Sequence, residues 1–313
     1  MKKKLGRVVI LSLVVVAVLS IFAACTAPAD EAAPSTIEVT DQLGRTVKLD
    51  RTPQRIISLA PSNTEILFAL GLADRLVAVT DYCNYPPEAE DKPKTGGFST
   101  PNIEEVIALS PDLILATSIH EKRTIPQLEG KGLTVFALNP RNVDEVLESI
   151  TLVGEVTGKR EQASGLVAEM RNRIKTVTDK SDNLSGTERP RVLYAVWHDP
   201  LTAPGSTTLQ DDLIEKAGGI NITRDLTGYA AITLEAVIAT NPEVMIAGGG
   251  HGAGESLNLQ FIKTEPRLRN TDARRNNRVY GLDGDLVSRP GPRIVEGLEK
   301  FAEFIHPELF SEK

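Results

Sequence analysis

Apolar and polar positions alternate between two periods along this chain. Short, nearly continuous apolar runs, RIISLA (55–60), LVAVTD (76–81), LILAT (113–117) and VFAL (135–138), have the length and β-branched content of strands covered on both faces. Between them, at 62–70, 103–109, 121–130 and 143–157, apolar residues recur at helical spacing. The alternation then restarts. RVLYAVW (191–197), VMIAG (244–248) and RVYGLD (278–283) read as strands, and 207–217, 234–240 and 291–305 as helices. Strand–helix alternation implies a parallel sheet with helices on both faces, so the pattern predicts two Rossmann-like α/β lobes.

Between the lobes, KREQASGLVAEMRNRIKTVTDK (159–180) sets Ala163, Leu166, Val167, Met170, Ile174 and Val177 on one helical face, with charges opposite. A helix of that length extends ~33 Å, enough to pass from one lobe to the other. The expected organisation is an N-terminal lobe at 37–158, a linker helix at 159–182 and a C-terminal lobe at 183–313. Lobes joined by one helix instead of strands should rock little and leave a largely preformed cleft.

One segment occurs twice. NIEEVIALSPDLILA (102–116) and TLEAVIATNPEVMIA (233–247), 131 positions apart, share Glu104/Glu235, Val106/Val237, Ile107/Ile238, Ala108/Ala239, Pro111/Pro242 and Ala116/Ala247. Asn102 and Thr233 stand where N-caps belong, which puts Glu104 and Glu235 in a first helical turn. There an acid complements the helix dipole by ~0.3–1 kcal/mol, a sufficient structural reason for both.

The start of the chain is of another kind. Lys2, Lys3, Lys4 and Arg7 precede an apolar run that closes in Phe22-Ala23-Ala24-Cys25. The run is long enough for a membrane span, but its charged start and small-residue end favour a processed signal at 1–25. The terminal cysteine points to lipidation of Cys25. Lipoprotein, ordinary secretion and uncleaved anchor all leave the rest of the chain outside the cytoplasm. Residues 26–36, rich in Ala, Pro, Ser and Thr, suit a flexible tether.

Without the first 25 residues, 31 Lys and Arg face 42 Asp and Glu, a formal net charge of −11. An acidic chain without a basic run argues against nucleic acid. With Cys25 lipidated, Cys83 is the one cysteine left, so no intrachain disulfide stabilises the fold.

Catalytic and metal spacings are missing. GGGHGAGES (248–256) fits neither the P-loop nor G-x-G-x-x-G and reads as a loop on the cleft rim. GFSTP (97–101) and GESLN (254–258) lack the last glycine of a serine-nucleophile elbow. His120 and His198 each follow a predicted strand, where open α/β sheets present ligand loops, and with an acid they could form a metal site. His306, beside Pro307, is expected to be exposed. Of the 14 aromatics, Tyr82, Tyr85, Phe98, Trp197 and Tyr229 fall at strand ends or in loops, in both lobes. Singly each reads as packing; together they favour a broad cleft with flat apolar walls.

PQRIISLAPSNTEILFALG (53–71), TDYCNYPPEAE (80–90), GGFSTPNIEEVIALSPDLILA (96–116) and AGGINITRDLTGYAAITLEAVIATNPEVMI (217–246) resemble the cobalamin- and iron–siderophore-binding proteins of ABC importers. The resemblance spans about Val39 to Phe304 and is closest to the cobalamin-binding members. It implies a binding protein, not an enzyme, that works without a cofactor and delivers a small ligand to a permease dimer and its ATPase subunits. Glu104 and Glu235 match the glutamates that pair with permease arginines. Tyr82 matches a cleft aromatic, Phe98 and Tyr229 stand where tryptophans are usual, and Thr117 replaces a further tryptophan. Asp285 and Arg289 match cleft positions, and His198 lies in a segment, VWHDPLTAPG (196–205), shared with uncharacterised members. Cobalamin, a ferric siderophore and haem all remain possible ligands. With Arg289 the one reasonable cleft cation, a corrinoid or an uncharged hydroxamate chelate fits better than a catecholate. A binding protein for bare metal and a surface-tethered hydrolase are the alternatives.

Overall fold

The computed structural model describes residues 36–249 and 256–310. The expected signal, Cys25, almost all of the tether and most of the 248–256 loop, His251 included, lie outside the described residues. From Ile37 onward the chain forms one compact unit.

An antiparallel hairpin, β1 (Ile37–Thr40) and β2 (Thr46–Leu49), opens the fold. The first lobe follows with β3 (Ile56–Ser58), β4 (Leu76–Ala78), β5 (Leu113–Thr117) and β6 (Val135–Leu138), all parallel, in the order β4-β3-β5-β6. The second lobe holds β7 (Arg191–Ala195), β8 (Trp197–His198), β9 (Leu201–Pro204), β10 (Ile220–Asn221), β11 (Tyr229–Ala231), β12 (Val244–Gly248) and β13 (Val279–Leu282). Its parallel sheet runs β10-β7-β12-β13, the first lobe's order repeated. Both lobes are thus the α/β units that the hydrophobic pattern predicts.

The repeated segment supplies the same piece to each lobe. Its helices are Ile103–Ala108 and Leu234–Thr240, and its strands are β5 and β12, each an inner strand of its sheet. Asn102 accepts hydrogen bonds from the Glu104 and Glu105 amides, and Thr233 accepts one from the Ala236 amide. Such caps are worth ~1 kcal/mol each.

The linker is a helix, Arg160–Ser181. Ala163, Val167, Met170 and Val177 are buried and Leu166 and Ile174 half-buried, the face that the spacing predicts. It turns back against the helix Val143–Thr157 through Gly158, whose φ of 72° suits a residue without Cβ. Four residues earlier, a Cβ on Gly154 would meet the Ala163 Cβ at 2.4 Å, so only glycine lets these helices approach so closely. Arg173 on the linker holds both carboxylate oxygens of Glu299 in the closing helix Ile294–Ile305.

The core explains how the lobes are joined. Ile56, Leu113, Leu115 and Phe136 on one face of the first sheet, the linker's buried side chains, and Val192, Ile246 and Phe301 of the second lobe belong to one continuous cluster. The outer face of each sheet has a smaller cluster of its own. A shared core resists wide opening of the lobes, because packed interiors do not deform gradually.

Three local features depart from the pattern. The strand expected at 191–197 ends at Ala195; the Asp199-Pro200 turn reverses the chain, so Trp197–His198 pairs antiparallel with β9 in a small sheet ordered β11-β9-β8. Strand β4 ends at Ala78, and the chain from Val79 leaves toward Tyr82. His306 is buried, not exposed: glycine at 218 lets the imidazole Nε2 reach the Gly218 carbonyl at 3.1 Å.

Candidate functional site

In open α/β sheets ligands gather beyond the carboxyl ends of the strands. Two cavities lie there, one per lobe, and Ser288 lines both. The first, about 400 Å³, is walled by Pro61 and Ser62 after β3, Tyr82 beyond β4, and Phe98 and Arg289. The second, about 440 Å³, is walled by Trp197 after β7, Gly248 and Gly249 at the end of β12, Gly284 after β13, and Tyr194, Gln210 and Asn258. Each falls within the range of small-molecule sites.

The flat walls are held in place. Phe98 is half-buried, with His120 edge-on at 5.7 Å. The His120 Nδ1 accepts from the Thr117 amide at 3.1 Å, so Nε2 carries the proton and donates to the Phe98 carbonyl at 2.6 Å. Burial pushes this histidine's pKa down and keeps the ring neutral, although the bond to the Phe98 carbonyl opposes that shift. Tyr82 and Trp197 are each 51% exposed, and the indole Nε1 of Trp197 donates to the Asp199 carbonyl at 2.9 Å. Half-open aromatic faces of this kind leave apolar area for a ligand to cover.

At the junction of the lobes is a buried ion cluster. Glu65, on the first lobe's helix Pro61–Ala69, pairs with Arg289 at 3.3 Å and Arg293 at 2.6 Å, both from the second lobe. Arg289 also pairs with Asp285 at 2.7 Å and donates to the Asn84 side chain and the Tyr82 carbonyl. Two acids balance two arginines, and the Arg289 guanidinium, 5% exposed, has its charge matched within the protein. A second tie crosses between the lobes where Asp212 accepts the Val143 amide at 2.8 Å and Lys216 meets Asp144 at 3.2 Å.

Of the residues singled out from sequence, Tyr82, Phe98 and Arg289 line the first cavity and Trp197 the second. The others sit beside these walls. Tyr85 stacks on Arg293, 3.9 Å from ring centre to guanidinium carbon. Asp285 pairs with Arg289. The Tyr229 hydroxyl donates to Gln210 at 2.8 Å, bracing a cavity-lining side chain. His198 alternates with Trp197 along β8, bonds Asn258 at 3.1 Å and faces Phe261. His120 and His198 are thus each engaged in their own lobe, and among the described residues no three His, Cys, Asp or Glu side chains are grouped to hold a metal ion.

Glu104 and Glu235 are exposed in the first turns of the two repeated helices. Arg267 is 4.0 Å from Glu235 but is held at 2.7 Å by Glu265. Cys83 is buried, its Sγ 3.2 Å from the hydroxyls of Thr64 and Thr80. A larger groove, about 850 Å³, runs between the linker and the helix Leu209–Lys216, lined by Asp144, Asp182, Asp212 and Lys216 with no aromatic wall.

Glu65, Tyr194 and Gln210 were not evident from sequence. Glu65 left a trace, as the one charge in the otherwise uncharged run SNTEILFAL (62–70). Tyr194 looks like any strand aromatic in RVLYAVW, and Gln210 like any polar residue in a first helical turn.

Comparison with known proteins agrees with this geometry. The chain is 34% identical, over an alignment of 330 positions covering all of both chains, to YvrC of Bacillus subtilis, an uncharacterised ABC transporter substrate-binding lipoprotein. It is 30% identical to a cobalamin-binding protein of Halobacterium salinarum, over 90% of this chain and 77% of that one. Among solved structures it resembles the periplasmic haem-binding protein BhuT, determined with two haems, at TM-score 0.73 and 28% identity over 82% of this chain and 98% of the other. The family model described as periplasmic binding protein matches residues 56–286, and the chain belongs to that family.

Proposed function

We propose that the chain is the substrate-binding lipoprotein of an ABC importer that captures cobalamin or a related corrinoid between its lobes and hands it to a permease dimer. The observation that carries this reading is the cleft itself: flat aromatic walls in both lobes, and a charge-balanced floor in which Arg289 is already matched by Glu65 and Asp285. Such a surface suits a large, flat, mostly uncharged ligand. The Halobacterium relative supports cobalamin in particular.

A second reading, haem or a ferric siderophore, is favoured by the likeness to BhuT. Against it, a carboxylate- or catecholate-bearing ligand needs cations, and Arg289, the one cation among the described residues lining these two cavities, is spent. Transport through this chain requires no covalent chemistry.

Cys25 would hold the protein to the membrane through its lipid, outside the cytoplasm, with residues 26–36 as the tether. Among the described residues no helix is long and apolar enough to cross a membrane. Glu104 and Glu235, at equivalent points of the two lobes, would pair with arginines of two equivalent permease subunits.

The test is uptake by cells in which this chain is the sole binding protein. Cyanocobalamin enters, and the double change Glu104→Ala/Glu235→Ala cuts entry at least about tenfold with ligand affinity unchanged. Normal uptake by the double variant contradicts the docking role, and no uptake by the unaltered chain contradicts the importer reading for this ligand.

A further inference from the structure

The second-lobe cavity contains a donor that the protein leaves unused. Tyr194, on β7, is only 3% exposed and its ring packs on Phe301 with centroids 5.6 Å apart. A Cβ on Gly248 would fall 2.3 Å from the Tyr194 hydroxyl, so glycine is what leaves space for that oxygen at the cavity wall. No hydrogen bond to this hydroxyl is made by any described residue, whereas the neighbouring Tyr229 hydroxyl has Gln210. The hydroxyl is not one of the fully buried atoms without a partner, so it opens onto the cavity, where an acceptor on the ligand can take the place of water.

The rest of the wall has one character. Gln210, Asn258, Ser256 and Ser288 are polar and uncharged, Trp197 supplies a flat face, and no described residue lining this cavity carries a charge. Burial also drives the Tyr194 pKa well above the ordinary phenol value, with a minor contribution from Tyr229, so the group is a neutral donor. A carboxylate placed here would be desolvated with no cation among the described lining residues to compensate it. A carboxamide would not, since its oxygen accepts from a hydroxyl and its nitrogen can donate to an amide or serine oxygen.

We propose that Tyr194 is a specificity-determining ligand contact, and that the compartment it closes recognises an uncharged carboxamide on the periphery of the ligand. This rests on the corrinoid reading above and says which chemical group the second lobe reads.

The experiment measures the affinity of residues 37–313 for cyanocobalamin and for its monocarboxylates, each with one peripheral carboxamide hydrolysed, with and without Tyr194→Phe. The account expects Y194F to weaken cyanocobalamin about threefold to tenfold. Because no described side chain or backbone group bonds this hydroxyl, the unfolding midpoint of Y194F should not fall. At least one monocarboxylate should bind the unaltered protein about tenfold more weakly than the parent compound. Wild-type affinity in Y194F, or equal binding of every monocarboxylate, overturns the inference while leaving the corrinoid reading standing. Failure of the unaltered protein to bind any corrinoid overturns both.

Discussion

Ser110 and Asn241, 131 residues apart, hold the same left-handed backbone, φ 48° and 46°, each directly before a proline. The equivalence extends to their surroundings. Arg55 donates to the carbonyls of Leu109 and Ser110, and Arg191 to those of Thr240 and Asn241. Asp112 accepts the Arg55 amide and Glu243 the Arg191 amide. Each lobe therefore closes the C-terminal end of its Glu104 or Glu235 helix with an equivalent arginine, Arg55 or Arg191, and the two acids are set by matching frames.

Serine is poorly suited to the left-handed region, where an L-residue carries a penalty of about 1–2 kcal/mol that glycine escapes. Ser110→Gly should therefore raise stability by about 0.5–1 kcal/mol in denaturant unfolding, and Ser110→Val should lower it. Equal stability of the two variants would show that the strain at this turn is relieved in some other way.

The arginine frames should matter more for delivery than for capture. Arg191→Ala removes donors to two helix-end carbonyls at a partly exposed site, a loss of about 1 kcal/mol once solvent screening is allowed for. Uptake should fall while ligand affinity, set at the far end of the sheet, stays within about twofold. A fall in affinity with unchanged docking would place the effect in the cleft instead.

Glu65 joins the lobes through two arginines, and its side chain is 2% exposed. Removing one partner of a buried pair leaves the other charges uncompensated, so Glu65→Ala should cost about 3–5 kcal/mol. Glu65→Gln keeps the shape and some hydrogen bonds and should cost less. Thermal unfolding of the two variants checks the order; a harmless Glu65→Ala would mean that the arginines find solvent or other acids.

His120 predicts a pH dependence with a definite sign. Its folded pKa is pushed below 6.5 by burial, so as pH falls through 6.5 the unfolded chain takes up a proton that the folded chain does not. Stability should be full above about pH 6.5 and decline below it, by at most about 1.4 kcal/mol per pH unit, until the folded pKa is reached. His120→Gln should flatten this part of the profile; an unchanged slope would assign it to another group.

Much of this architecture is legible in the sequence because it rests on periodicity. The linker's apolar face, the N-caps at Asn102 and Thr233 and the repeat unit all follow from spacing and local chemistry. What spacing cannot give is contact between distant segments. Arg289 matches a cleft position by motif, yet its partners Glu65 and Asn84 are more than 200 residues away and become visible only once the lobes meet. The β8–β9 reversal was hidden for a similar reason, because VLYAVW is uniformly apolar and gives no sign that the chain turns at Asp199-Pro200. Tyr194 was hidden because a phenol on a buried strand looks the same whether or not its hydroxyl has a partner.

The most direct measurement is calorimetric titration of purified residues 37–313 with cyanocobalamin, haem, a ferric hydroxamate and a ferric catecholate under one set of conditions. The account predicts that cyanocobalamin binds with a dissociation constant of about 1 μM or tighter, worth about 8 kcal/mol, and that the catecholate binds far more weakly. Tight binding of haem or the catecholate with no heat from cyanocobalamin would contradict it.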